Sequence, residues 1–170
     1  MPISWKILDS AYGDLNKDGI KDVAIILQHK DSVSIINGLQ GAVLTQPRIL
    51  IILFKNHFDR SFALIEQSSS FILKHDNSAM DDPYQEMTIK NGVLEIKFHL
   101  FYNMSSWYVT NSAYKFRYQQ HQFVLIGADN FFFHRVTQDF EDYSYNFLTN
   151  KRVLTKGNDN KGTKKTTVNL

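Results

Sequence analysis

Apolar and polar residues alternate along much of the chain with a period of two, the spacing that sends successive side chains to opposite faces of a strand. The clearest case is EMTIKNGVLEIKFHL, residues 86–100. Asn91-Gly92 within it is a type I′ turn signal, because both residue types tolerate positive φ. A two-residue turn there pairs Lys90 with Val93, Ile89 with Leu94, Thr88 with Glu95 and Met87 with Ile96. The pairs Ile89/Leu94 and Met87/Ile96 then share one face, which Phe98 and Leu100 extend, while Glu95, Lys97 and His99 occupy the other. A slip of one residue would exchange the two faces, so turn and pattern fix the register together.

The same reading predicts a buried strand over residues 22–28, a second over 49–55, and further strands over 62–67 and 70–74. SAYKFRYQQHQFVLIG, residues 112–127, predicts a second hairpin, in which QQHQ lacks the Asn-Gly of a tight turn and so implies a looser loop. NFLTNKRVLT predicts a third, with Asn150 the residue best suited to a left-handed turn position. DSVSIINGLQGAVL, residues 31–44, offers one short helical turn or none. The expected fold is all-β, with room for one or two short helices. It is an antiparallel sandwich or open barrel of about eight to ten strands. No repeat of about 20 to 50 residues recurs. Residues 1–155 form a single β-rich domain on this reading. Residues 156–170, KGNDNKGTKKTTVNL, form a basic, loosely ordered tail with a last short strand at 166–170.

Composition narrows the classes. A chain of 170 residues with 43% hydrophobic and 21% charged residues is globular and long enough for a real core. Aromatic residues reach 14%, which suits pleated sheet. Six of the 19 lysines and arginines fall after residue 150, against one acid there, so the first 150 residues hold 13 bases and 16 acids. The body is mildly acidic and the end basic. No basic stripe with interleaved aromatics crosses the body, which argues against nucleic-acid binding. The absence of cysteine excludes disulfides, thiolate zinc sites and a cysteine nucleophile. The longest apolar run, Ile49 to Phe54, is too short to span a membrane. The start MPISWKILDS has no signal-peptide core, so the chain is expected to be cytosolic or the mature form of an exported protein.

Candidate chemistry concentrates in GDLNKDGIKDVAIIL, residues 13–27. Asp14, Asn16 and Asp18 occupy positions 1, 3 and 5 of a nine-residue loop, Gly19 permits a sharp turn that offers the Ile20 carbonyl, and Asp22 closes the ring. Hard oxygen donors on alternate residues suit Ca²⁺, with three carboxylates against its double charge. An EF-hand would need an acid at position 12, where Ile25 stands. The residues after Asp22 are β-branched, so the loop hands over to a strand instead of a helix.

The pattern D-x-N-x-D-G-x-x-D before a hydrophobic strand resembles the calcium loop of FG-GAP repeats, as in integrin-type propellers. With its single copy, the Phe-Arg-Tyr segment YKFRYQQHQFVLIG and the late YNFLTNK, the chain resembles small exported bacterial proteins that carry one such motif. The resemblance implies a structural Ca²⁺ held by Asp14, Asn16, Asp18, Ile20 and Asp22, and a periplasmic or extracellular location. It does not imply a propeller, which needs about four or more blades.

Other constellations are weaker. The six histidines lack metal-ligand spacing, and no nucleophile elbow or phosphate-binding loop is present. Tyr102, Trp107 and Tyr108 are candidates for a protein- or glycan-binding surface. Asp139 with Glu141 or Asp142 is a candidate carboxylate pair. The expected function is that of a calcium-stabilised, non-enzymatic binding domain of the bacterial envelope or exterior. An inhibitor or immunity-type protein of an envelope enzyme is the first alternative, and a carboxylate-dependent hydrolase the second.

Overall fold

The computed structural model of the protein describes residues 3–36, 41–104, 106–159 and 161–170. Among them there is no helix, and thirteen strands form three antiparallel sheets that do not close into a barrel. The arrangement is a β-sandwich with one oversized layer. The smaller main sheet has the order β1 (Trp5–Gly13), β2 (Asp22–His29), β5 (Arg48–Lys55), β6 (Phe62–Ser68). The larger is a seven-stranded meander: β7 (Tyr84–Lys90), β8 (Val93–Phe101), β9 (Tyr108–Gln119), β10 (Gln122–His134), β11 (Asp139–Asn146), β12 (Lys151–Asn158) and β13 (Gly162–Asn169). The third sheet is a short hairpin of β3 (Val33–Ile36) and β4 (Ala42–Thr45).

The β7–β8 register is the one the sequence predicts, with Asn91 and Gly92 at φ 52° and 72°. The third hairpin also follows prediction, with Asn150 at φ 51°. The second departs from it. Gln119 pairs with Gln122, so only Gln120 and His121 turn the chain, at φ 50° and 63°. The loop is tight although neither residue favours that conformation, because the long flanking strands hold it closed. Residues 31–44 give the β3–β4 hairpin instead of a helical turn, and its reversal at 37–40 lies outside the described residues. Residues 70–74 are not a strand. The Ser68 hydroxyl accepts the Phe71 N–H at 3.1 Å and turns the chain away, while Ile72 drops into the core.

Strands number thirteen against the eight to ten expected. The surplus includes β3 and β4, while the last strand, expected at 166–170, runs over Gly162–Asn169 and is exposed throughout, so it carries no buried alternation. Residues 156–170, expected as a loose tail, supply the end of β12 and all of β13, which pair from Lys151↔Asn169 to Asn158↔Gly162.

The core lies between the small sheet and only part of the large one. Ala24 and Ile26 from β2 and Leu50, Ile52 and Phe54 from β5 meet Met87, Leu94, Ile96 and Phe98 from β7 and β8. Tyr114, Phe116, Tyr118 and Phe123 from β9 and β10 pack against that cluster, with Phe54 edge-on to Tyr118 at 4.8 Å. Nothing from the small sheet reaches β11, β12 or β13 in this cluster.

Two polar ties join the layers. The Tyr84 hydroxyl on β7 donates to Asp9 on β1. Arg48, only 2% exposed, donates to the Gln28 side chain at 3.0 Å, to the Leu73 carbonyl at 2.7 Å and to Asp82 through both terminal nitrogens. Burial raises the Asp82 carboxyl, but the hydrogen bonds and charge of Arg48 outweigh it and hold the group below its ordinary value. The bidentate pair therefore ties the small sheet to the connection that enters the large one.

Replacing Gln120-His121 by Asn-Gly is expected to stabilise the protein by about 1 kcal/mol, since two residues leave a conformation that L side chains adopt at a cost. Urea unfolding of the double variant checks this; an unchanged midpoint would show that the turn is not strained.

Candidate functional site

Two features can do chemistry or binding, and they lie on different sheets. The first is the acidic loop between β1 and β2. Its carboxylates are taken up by the backbone of the loop itself. Asp14 accepts the N–H groups of Lys17 at 2.6 Å, Asp18 at 3.2 Å and Gly19 at 2.9 Å. The Asn16 side-chain oxygen accepts the Asp18 N–H at 3.0 Å, while its amide donates to the Asp18 carboxylate at 2.9 Å. Asp18 also accepts the Ile20 N–H at 2.8 Å. Lys17 and Gly19 supply the left-handed positions, at φ 65° and 87°. The loop thus closes as a chain of side-chain-mediated turns.

Asp22 faces the other way. It is fully buried, and its two oxygens accept the N–H groups of Leu15 at 2.9 Å and Lys55 at 3.1 Å. Burial pushes its carboxyl above the ordinary value despite these bonds. Leu15, 1% exposed, plugs into the core beside it. The loop therefore brings Asp14, Asn16 and Asp18 together and turns Asp22 inward, to hold the loop onto β5. Among the described residues no three His, Cys, Asp or Glu side chains converge as a metal cluster. The five oxygen-bearing positions are the right kind for Ca²⁺, but as arranged the side chains of Asp14, Asn16, Asp18 and Asp22 accept N–H donors.

The second feature is the part of the large sheet's inner face that the small sheet leaves uncovered. Pairing registers carry the core face outward in rows. One row runs Thr110, Phe132, Glu141, Lys156, Lys164, the next Ser112, Asn130, Tyr143, Leu154, Thr166, and the next Tyr114, Ala128, Tyr145, Arg152, Val168. Over these rows lies an open cleft of about 770 Å³ lined by Tyr108, Asn130, Phe132, His134, Glu141 and Tyr143 among others. A shallower one of about 460 Å³ shares Asn130 and Tyr145 with it, so the two form a continuous trough along β11.

Aromatic rings build the trough. Tyr143, Tyr145 and Phe147 stand in a near-parallel row, with centroids 6.4 and 6.0 Å apart. Phe132 meets Tyr143 edge-on at 6.0 Å, and Tyr108 meets His134 at 4.8 Å. Among them sits a polar knot: Glu141 accepts the Tyr143 hydroxyl and the Lys156 ammonium, each at 2.5 Å. Lys156, and after it the Tyr143 hydroxyl, hold the Glu141 carboxyl below its ordinary value, while Glu141 raises both partners.

Of the sequence candidates for a binding surface, Tyr108 lines the trough. Trp107 is 64% exposed beside it, and Tyr102 pairs with Met80 in an isolated bridge. Of the carboxylates, Asp139 and Glu141 face the trough, and Asp142 lies on the opposite face, paired with Phe131. Hydrogen bonds from Thr137 and Asn158 lower Asp139 as well. Both trough carboxyls are thus held below the ordinary carboxylate value. The sequence also offers NFFFH, residues 130–134, as part of such a surface, and its Phe132 and His134 line the trough, whereas Tyr143 and Tyr145 are lining residues that the sequence reading did not single out. The signal for these was period-two alternation in DYSYNF, residues 142–147, which puts Tyr143, Tyr145 and Phe147 on one face.

No family model matches the chain, and no curated protein or solved structure matches it.

Asp22→Ala is expected to cost roughly 2 to 5 kcal/mol, because it strips two buried N–H groups of their acceptor. Asp14→Ala, on the exposed side, is expected to cost about 1 kcal/mol in calcium-free buffer. Denaturant unfolding in the presence of EDTA separates the two; equal losses would contradict the assignment of Asp22 as the structural anchor.

Proposed function

We propose that this protein is a non-enzymatic binding domain, exported to the bacterial envelope or beyond, that holds a saccharide chain in the trough of its large sheet. The observation that carries the reading is the uncovered inner face, where aromatic rings alternate with hydrogen-bonding groups. A purely apolar ligand would strip water from Asn130, His134, Glu141 and the Tyr143 hydroxyl and give nothing back to their remaining hydrogen-bonding capacity. A sugar offers an apolar ring face and a rim of hydroxyls, and so matches both kinds of surface. Tyr and Phe present that surface with little side-chain entropy to lose. Nuclear magnetic resonance titration with a panel of oligosaccharides tests this. Shifts should cluster at Tyr108, Phe132, Tyr143 and Tyr145, and Tyr143→Ala with Tyr145→Ala should weaken binding about a hundredfold or more. Shifts confined elsewhere would sink the reading.

A calcium ion on the acidic loop belongs to the same proposal as a brace. Asp14, Asn16 and Asp18 would hold it, with the Ile20 carbonyl and Asp22 completing the set after Asp22 gives up its present N–H bonds. The loop packs against the β7–β8 turn, where a Cβ on Gly92 would lie 3.5 Å from the Asp14 carbonyl. The main cleft begins at the other end of these strands, beside Tyr108 and His134. A cation at the loop therefore stiffens the scaffold and touches no ligand. Ca²⁺ at about a hundred times its dissociation constant should add about 2.7 kcal/mol of stability, seen as a higher melting temperature than in EDTA. Identical melting in the two buffers would remove the ion from the proposal.

A further inference from the structure

The inner face beside the trough, on β12 and β13, carries three cations, and two of them lack acids among the described residues. Arg152, Lys156 and Lys164 all project from the inner face of these strands. Lys156 is held by Glu141, but directly across the ladder from it stands Lys164. Like charges in that position repel. Lys164 has no ion pair among the described residues. Arg152 has none either: its guanidinium lies 5.8 Å from the centre of the Tyr143 ring, and its Nε is buried with no hydrogen-bond partner. Its neighbours across the ladder on this face, Tyr145 and Val168, offer no carboxylate. A guanidinium with no carboxylate partner is open to an incoming anion.

We infer that the ligand of the trough is an acidic saccharide, whose ring carboxylates pair with Arg152 and Lys164 while its rings lie against Tyr143 and Tyr145. This rests on the saccharide-binding reading and adds the charge. Arg152 is placed for it: a planar fork beside an aromatic ring meets a carboxylate through two parallel hydrogen bonds. Lys164 adds a flexible point charge on the outer strand. The charges of Glu141 and Lys156 cancel and Asp139 stands at the start of β11, by the β10–β11 turn, so the unmatched positive charge lies on the β12–β13 side. The basic end of the chain thereby acquires a direction, as the wall that receives the ligand's acids.

Hexagalacturonate and its fully methyl-esterified form provide the test, since they share rings and linkages and differ in charge. Isothermal titration calorimetry of the full chain should show the acid form binding about tenfold more tightly or better. Arg152→Gln and, separately, Lys164→Gln should bring the two affinities together by weakening the acid form and leaving the ester unchanged. Lys164 is exposed, so its variant keeps the fold even if that of Arg152 does not. Equal affinities for acid and ester would overturn the inference and leave the saccharide reading standing. No binding of either form, with other oligosaccharides also silent, would end both. Tighter binding of a single-stranded oligothymidylate than of hexagalacturonate would overturn the inference in favour of nucleic acid.

Discussion

A four-stranded sheet can cover only part of a seven-stranded one, and that mismatch governs the molecule. The hydrophobic contacts that stabilise the fold are made where the two overlap, from β7 to the start of β10. Beyond that line the large sheet continues its alternation, and among the described residues the small sheet's core cluster does not extend over it. The residues there are a compromise between core and surface: Tyr143 and Tyr145 carry hydroxyls, Glu141 is neutralised by Lys156, and Arg152 lies beside a ring. An all-aliphatic face in the same place would be an exposed apolar patch prone to association. The polar knot and the cations make the extension compatible with water while leaving aromatic carbon available.

The overlap itself is kept in place by a few cross-layer ties. Arg48 reaches from β5 to Asp82 just before β7, and Tyr84 reaches from β7 to Asp9 on β1. Neither adds much net energy over a well-packed apolar alternative, because burying a guanidinium carries a large desolvation cost. Their contribution is positional, since the tie geometries are satisfied in only one placement of the small sheet. Gly13 belongs to the same seam. A Cβ there would lie 2.4 Å from the Ile89 side chain, so β1 approaches β7 as closely as it does only because that position is bare.

Legibility in the sequence follows the number of independent cues at each place. The β7–β8 hairpin had two, Asn-Gly and strict alternation, and its register was readable to the residue. The acidic loop had spacing and composition, which identified it as a unit but could not show that Asp22 points inward. That depends on the Leu15 and Lys55 backbone groups, which only the tertiary fold brings to it. The Gln120-His121 turn carried a misleading cue, because long paired strands can impose a conformation that the turn residues disfavour. The trough was hidden for a different reason. Alternation marks an inner face, but it cannot say where the opposing sheet stops, so Tyr143, Tyr145 and Phe147 read equally well as core.

The order of pairing in the meander bears on how the two regions come into being. Strands β9 to β13 pair only with their neighbours in sequence, through short reversals, so each addition closes a small loop at little entropic cost. The β1–β7 seam instead joins Gly13 to Ile89, far apart along the chain, and forms only when most of the small sheet is in place. Cohesion is thus divided. The overlap opens as one cooperative body, whereas the outer strands can fray and re-form by themselves from the free edge inward. A surface built from locally paired strands can adjust to what it holds without disturbing the body that carries it.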